Sequence, residues 1–233
     1  MPYEGTSEPS ESEPDWELGG VSFVGTNNGI KTSVNGVETV DDSTAAGTEK
    51  LQLRPDEGGS FSEAIHVTDV ATSDGYEYVA WGNWSQPGVI FTDSDGQTWN
   101  VDRGHYILGQ KTDELPTTGS ASYSGDVRGD FVTDAAVIEY NAVGGTVAMD
   151  VNFGTDSATI ELDLTRNGAD WASVTDNNLY VDRSDSSFGT RDDNDSVLIG
   201  GEFAGPNAEE LFGGFEVSGD GGTAVGGFRA KQD

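Results

Sequence analysis

Apolar and polar residues alternate in short runs along most of the chain, and Gly, Asn, Asp and Ser separate the runs. The clearest run sets Ile160, Leu162 and Leu164 against Glu161, Asp163 and Thr165. A period of two puts the first set on a buried face and the second in water. Residues 120–123, 135–140, 146–153, 171–174, 179–181, 197–203, 215–217 and 225–228 read as further strands of the same kind. Turn signals recur about every 8 to 15 residues, which suits an antiparallel up-and-down barrel or a related sandwich, with roughly eight strands expected for a barrel. Phe203, Phe215, Val217, Val225 and Phe228, with glycines between them, predict a last hairpin whose final strand closes the barrel at the chain end.

Upstream the pattern is less regular. Residues 1–15 hold Glu, Ser and Pro with Tyr3 as the lone aromatic, too little apolar surface to offset ordering, and read as a flexible acidic tether. Residues 21–24 and 30–34 read as strands, with Asn27-Asn28-Gly29 as a turn between them. Asn35-Gly36 is a hairpin signal that predicts residues 37–40 as the return strand for 30–34. The most aromatic stretch is 76–84, where Tyr76, Tyr78 and Trp84 alternate with a face that carries Trp81. Aromatics on both faces predict a strand at least partly covered on both sides. Residues 89–91, 98–101 and 105–108 are further strands, and Pro116 marks a boundary within 112–118. Helix is nearly absent from this reading, with a short turn at Glu209-Glu210-Leu211-Phe212 as the single expectation. The fold class is therefore all-β. Residues 16–115 form a smaller β-rich, handle-like region and 116–233 the barrel.

Composition changes the picture in two ways. With 42 acidic against 11 basic residues the net charge is −31, which repels a phosphate backbone and argues against nucleic acid as a partner. Such a surface keeps a protein soluble, favours cationic partners or divalent cations, and suits salty surroundings. The chain has no cysteine, which excludes disulfides and thiolate metal sites. No apolar run is long enough for a transmembrane helix. The first residues lack the basic and apolar regions of a signal peptide, so an exported form would be a mature one without its leader.

Several short motifs then add a resemblance. Gly205-Pro206-Asn207-Ala208-Glu209-Glu210, Gly213-Gly214-Phe215 and Gly226-Gly227-Phe228-Arg229-Ala230-Lys231 form the closing segment. Leu115-Pro116-Thr117-Thr118-Gly119-Ser120-Ala121-Ser122-Tyr123-Ser124-Gly125 opens the same region, with Val151-Asn152-Phe153-Gly154 between them. Tyr78-Val79-Ala80-Trp81-Gly82-Asn83-Trp84 precedes them. In this order they resemble the barrel domains of transferrin-binding protein B, with Asn152 where the family has Asp. The resemblance implies an eight-stranded barrel behind a handle-like region. It also implies a non-enzymatic, monomeric protein of the bacterial cell surface, secreted or on the outer membrane, that binds a protein or an iron-bearing ligand through loops. Surface members are often lipoproteins anchored through a Cys, and this chain has none.

Candidate chemistry is sparse. The two histidines, His66 and His105, stand far apart, and no G-x-S-x-G elbow accompanies them. A glycosidase needs only two carboxylates, and among 42 acids the sequence singles out no pair. Asp93 and Asp95, and Asp192, Asp193 and Asp195, lie in oxygen-rich loops of the sort calcium takes, although neither loop completes an EF-hand pattern. Tyr78, Trp81, Trp84, Trp99, His105 and Tyr106, with Tyr76 beside them, would either line a ligand site or pack the upstream region on the barrel. Some relatives in the family capture haem, which makes His105 and Tyr106 the candidate axial ligands. The competing reading is a structural or adhesive surface module with no small ligand. A calcium-stabilised enzyme of carbohydrate metabolism would require paired carboxylates in an aromatic cleft.

Overall fold

The computed structural model describes residues 73–92, 96, 98–135, 137–191 and 196–233, together with residues 60–63 and strand segments at 17–18, 22–25, 29–32, 37–39, 51–53 and 65–67. The acidic N-terminal stretch 1–15 lies outside the described residues. The described part of the chain is built of strands alone. First come β1 (Glu17–Leu18), β2 (Ser22–Gly25), β3 (Gly29–Thr32), β4 (Val37–Thr39), β5 (Leu51–Leu53), β6 (Ser60–Phe61) and β7 (Ile65–Val67). Two long strands follow, β8 (Val79–Thr92) and β9 (Thr98–Gly109). The rest are β10 (Ser120–Thr133), β11 (Ile138–Asn152), β12 (Ser157–Arg166), β13 (Ala169–Asp182), β14 (Ser187–Gly189), β15 (Val197–Ala204), β16 (Glu210–Gly219) and β17 (Gly222–Gln232).

Strands β10 to β17 pair in chain order, and β17 returns to β10 to close an eight-stranded antiparallel barrel. Upstream, β3-β2-β9-β8-β6 forms one sheet, with β1 also on β9, and β4-β5-β7 forms a small second one. The expected return strand after Asn35-Gly36 is thus corrected. β3 pairs with β2 and β4 with β5, so 30–34 and 37–40 belong to different sheets. A local turn signal is outweighed when the flanking strands find longer partners elsewhere. The short helical turn expected at 209–212 is also replaced, since Glu210 already begins β16. Ala208 takes a positive φ of 58° just before it and redirects the chain into the strand.

The strands run longer than their hydrophobic runs. Residues 135–140 and 146–153 join into one 15-residue strand, and 171–174 and 179–181 into one of 14. Paired neighbours carry β11 through Gly144-Gly145, where alternation alone would have ended it. β8 likewise absorbs Pro87 in a register shift between Ser85 and Val89.

Inward residues fill the barrel with aromatic rings. Phe203 sits 5.3 Å from Phe188, 5.7 Å from Phe153 and 6.1 Å from Tyr123, and the Tyr123 hydroxyl donates to the carbonyl of Ala208 at 2.7 Å. That hydroxyl is the polar handle a buried Tyr must satisfy. Gly213 points inward among these rings, and a Cβ there would collide with Phe228.

Candidate functional site

The described members of the aromatic set lie on and just before β8 and β9, the strands whose one face meets the outer wall of the barrel. Alternation divides them between two faces. Val79, Trp81 and Asn83 of β8, with His105, Ile107 and Gly109 of β9, share the face toward the barrel. Ala80, Trp84 and Tyr106 share the opposite face. Trp81, Trp84, His105 and Tyr106 are all buried, Tyr78 is half-buried, and Tyr76 is buried against the barrel. Trp99 lies in β9, but its side chain is outside the described ones.

What holds the sheet on the barrel is a stack of rings and cations. The Arg229 guanidinium, on a fully buried side chain of β17, lies 4.1 Å from the centre of Tyr76 and 4.4 Å from that of Trp81. Arg128 of β10 covers Trp81 at 4.3 Å, and Lys231 stands 5.6 Å from Tyr76. The resulting order is Lys231, Tyr76, Arg229, Trp81, Arg128, with cations and rings alternating. Arg229 also donates to Asp74 at 2.6 Å and to the carbonyl of Ser73 at 3.3 Å. Phe228 and Ala230 point into the barrel, so Arg229 between them must point out, and the sheet covers it. A Cβ on Gly109 would collide with the Phe212 ring, so the two layers touch without spare room. Gly109→Ala is expected to lower stability by about 1–3 kcal/mol, read from urea midpoints, because one methyl overfills this contact.

Polar groups lock the same joint. Glu210 of β16 accepts the N–H groups of Glu77 at 2.7 Å and Tyr78 at 3.0 Å, fixing the chain just before β8. His105 Nε2 lies 3.1 Å from Asp130 Oδ1, which also accepts the N–H of Asn141 at 2.5 Å. Thr112 donates its hydroxyl to the carbonyl of Gly205 at 2.7 Å, and Gly205 returns an N–H to Gln110 at 2.8 Å. Burial pushes the Tyr76 hydroxyl up to about 12 and raises the Glu210 carboxyl, in the latter case against the pull of its backbone donors.

Other carboxyls are held low. Arg229 lowers Asp74 through their hydrogen bond, and Arg166 lowers Glu139 in a two-pronged pair at 2.7 and 2.8 Å. A carboxyl with a lowered folded-state value contributes stability above its ordinary value, 3.8 for Asp74 and 4.5 for Glu139, and loses it as pH falls through the folded value. Glu210 acts with the opposite sign, giving up stability as pH rises past its ordinary 4.5. The melting midpoint is therefore expected to drop on acidification below pH 4, and Asp74→Asn to flatten that limb modestly, because Asp74 is solvent-exposed.

A recess lined by Trp81, Gly82, His105, Tyr106, Ile107, Arg128, Gly226 and Gly227 has room for about one water molecule. A haem ring does not fit there, and iron on His105 Nε2 would displace Asp130. Asp93, Asp95, Asp192, Asp193 and Asp195 lie outside the described residues. Among the described residues no group of three or more His, Asp or Glu side chains is placed to hold a metal ion. Sequence reading missed Asp74, Arg128, Asp130, Glu210 and Arg229. Arg229 had a usable signal, an outward-phased Arg between Phe228 and Ala230 in a chain poor in basic residues.

Residues 115–232 match the family of C-lobe and N-lobe β-barrels of transferrin-binding protein B. The chain belongs to this family. Its fold is similar to that of solved structures. One is a double mutant of transferrin-binding protein B, a vaccine antigen from Haemophilus parasuis Hp5, with 22% identity and a TM-score of 0.52 over 93% of this chain and 45% of that one. Another is intact Ap-TbpB, with its N and C lobes, at 20% identity and a TM-score of 0.50, over 93% of this chain and 46% of that one. The chain spans about half the length of these two relatives, and the likeness is one of fold. No curated protein matched the sequence. The match begins at Leu115, which is buried in the barrel core just before β10.

Proposed function

We propose that this chain is a non-enzymatic binding protein of the bacterial cell surface that recognises a protein or iron-bearing partner through loops on a rigid lobe. The observation that carries the reading is membership of the transferrin-binding protein B barrel family over residues 115–232. Upstream region and barrel act as one scaffold, because Trp81, Arg229 and Glu210 tie them together. The aromatic set then has a mechanical role, and specificity falls to the loops. Turns after β10, β12 and β16 converge at one barrel end, where Val137 is 56% exposed. That end is the proposed recognition surface. Localisation at the outer surface and the absence of catalysis follow from the same family reading.

A thermal melt of the chain with haem, a ferric chelate, calcium, or an iron-loaded carrier protein such as transferrin tests it. A ligand that binds only the folded state raises the midpoint with its excess over its Kd. The expected result is a rise with the carrier protein alone. A rise with haem that His105→Ala removes would place binding at the joint and overturn recognition through the loops.

A further inference from the structure

One inward position at the barrel rim carries a charge. Ile160, Leu162 and Leu164 face the core, and the same alternation takes Arg166, the last residue of β12, inward as well. Its guanidinium lies 3.9 Å from the centre of the Phe131 ring, and Phe131 is fully buried. Glu139, directly opposite Phe131 on β11, shares that face and grips the guanidinium with both carboxylate oxygens. The floor beneath the pair is aromatic, because Trp171 of β13 meets Phe131 edge to face at 5.0 Å.

The tip of β11 needs such a grip. β12 pairs with β11 only from Val143 onward, so residues 138–142 stand beyond the end of β12. Asn141 has a φ of 53°, and the pairing with β10 shifts register between Gly129 and Phe131. Ladder bonds therefore do not hold this stretch on the β12 side. Arg166 and Asn167 hold it instead. The Asn167 N–H goes to the carbonyl of Ala142 at 2.7 Å, and its side-chain amide goes to Glu139 at 3.3 Å.

The turn after β16 joins the same cluster. Trp171 donates its indole N–H to the carbonyl of Asp220 at 3.1 Å. Asp134, in the turn after β10, donates its N–H to the carbonyl of Gly221 at 3.0 Å. A Cβ on Gly219 would stand 3.0 Å from the Trp171 ring, so glycine lets this turn lie against the indole. We infer that Arg166, gripped by Glu139, is the positioning residue that fastens the turns after β10, β12 and β16 into one body before a partner arrives. Its effect on binding rests on the reading of this barrel end as the recognition surface, and neither side chain needs to touch the partner. A surface ordered in advance loses less conformational freedom on binding. Arg suits the role better than Lys, since its flat fork stacks on Phe131 while it holds both oxygens of Glu139.

The test compares hydrogen exchange, read by NMR, in the unaltered chain, Glu139→Gln, Arg166→Met and the double variant. The groups read are the N–H of Asp134 and of Asn167 and the indole N–H of Trp171. The N–H of Phe153, bonded to Gly119 at the opposite barrel end, is the reference. With Glu139→Gln the first three are expected to exchange roughly threefold to tenfold faster, with Phe153 unchanged, because the pair is partly exposed. The double variant is expected to be no faster than the faster single one, since the two side chains act as a unit. No acceleration, acceleration at Asp134 alone, equal acceleration at Phe153, or additive effects would each overturn the inference. Should Arg166→Met weaken the whole barrel, Glu139→Gln by itself still decides. Binding of an iron-loaded carrier protein is measured on the same variants. Glu139→Gln and Arg166→Met change the charge in opposite senses, yet both are expected to weaken binding, by about threefold to tenfold. Unchanged binding, or effects of opposite sign, would overturn the positioning role. If the unaltered chain binds no carrier protein, recognition through the loops fails, while the exchange pattern still decides whether Arg166 fastens the turns.

Discussion

Deleting residues 213–233 is expected to abolish cooperative unfolding of the barrel and most of its β circular dichroism. The deletion takes most of β16 and the whole of β17, which pairs with β10 along eleven registered positions from Tyr123 to Thr133. It removes Phe215, Val217 and Phe228 from the core and leaves β10 and β15 as two open edges. Arg229 goes with them, so the upstream sheet loses its anchor as well. A closed barrel spreads its pairing energy around the ring, and an opened one of this size has no substitute for the missing side. A truncated chain that kept a single sharp melt would show that β17 is an accessory strand.

Arg229→Ala is expected to cost about 2–4 kcal/mol, the largest effect of any single basic residue. The estimate combines two ring–cation contacts in a desolvated setting with the packing of a fully buried stem. Because Asp74 is 63% exposed, freeing it adds little. Arg229→Lys keeps the charge but loses the flat stacking surface, so it is expected to recover only part of the loss. Urea midpoints measure the cost. Hydrogen exchange shows where it falls, with amides of β8 and β9 expected to loosen along with β17. Loosening confined to β17 would show that Arg229 serves the barrel alone.

The barrel was legible in the sequence to an unusual degree. Ile160, Leu162 and Leu164 alternate without interruption, and these residues are buried as alternation requires. Gly213-Gly214-Phe215 and Gly226-Gly227-Phe228 carried both the family resemblance and the closing hairpin, which are found as β16 paired with β17. β14 was not legible, since Ser187-Phe188-Gly189 is too short to show a period. Nor was the length of β11, because Gly144 and Gly145 look like a break until partners on both sides carry the strand through.

The joint was half legible. The aromatic run 76–84 marked a strand covered on both sides, and Trp81 and Trp84 are buried on opposite faces of it. What covers Trp81 could not be read from the run, because its partners Arg128 and Arg229 come from distant strands brought together only when the barrel closes. Long-range ring–cation contacts leave no local period. Glu210 is hidden for a related reason. Its carboxylate serves two N–H groups more than a hundred residues away, and by sequence it is one acid among 42.

The central claim is that the loops recognise a protein partner while the aromatic set holds the scaffold. The most direct measurement is hydrogen exchange of the full chain with and without an iron-loaded carrier protein. The expected footprint covers the turns after β10, β12 and β16, including Val137, and leaves Trp81, Trp84, His105 and Tyr106 unchanged. A footprint centred on those four residues, with the turns untouched, would contradict it and make the joint itself the binding site.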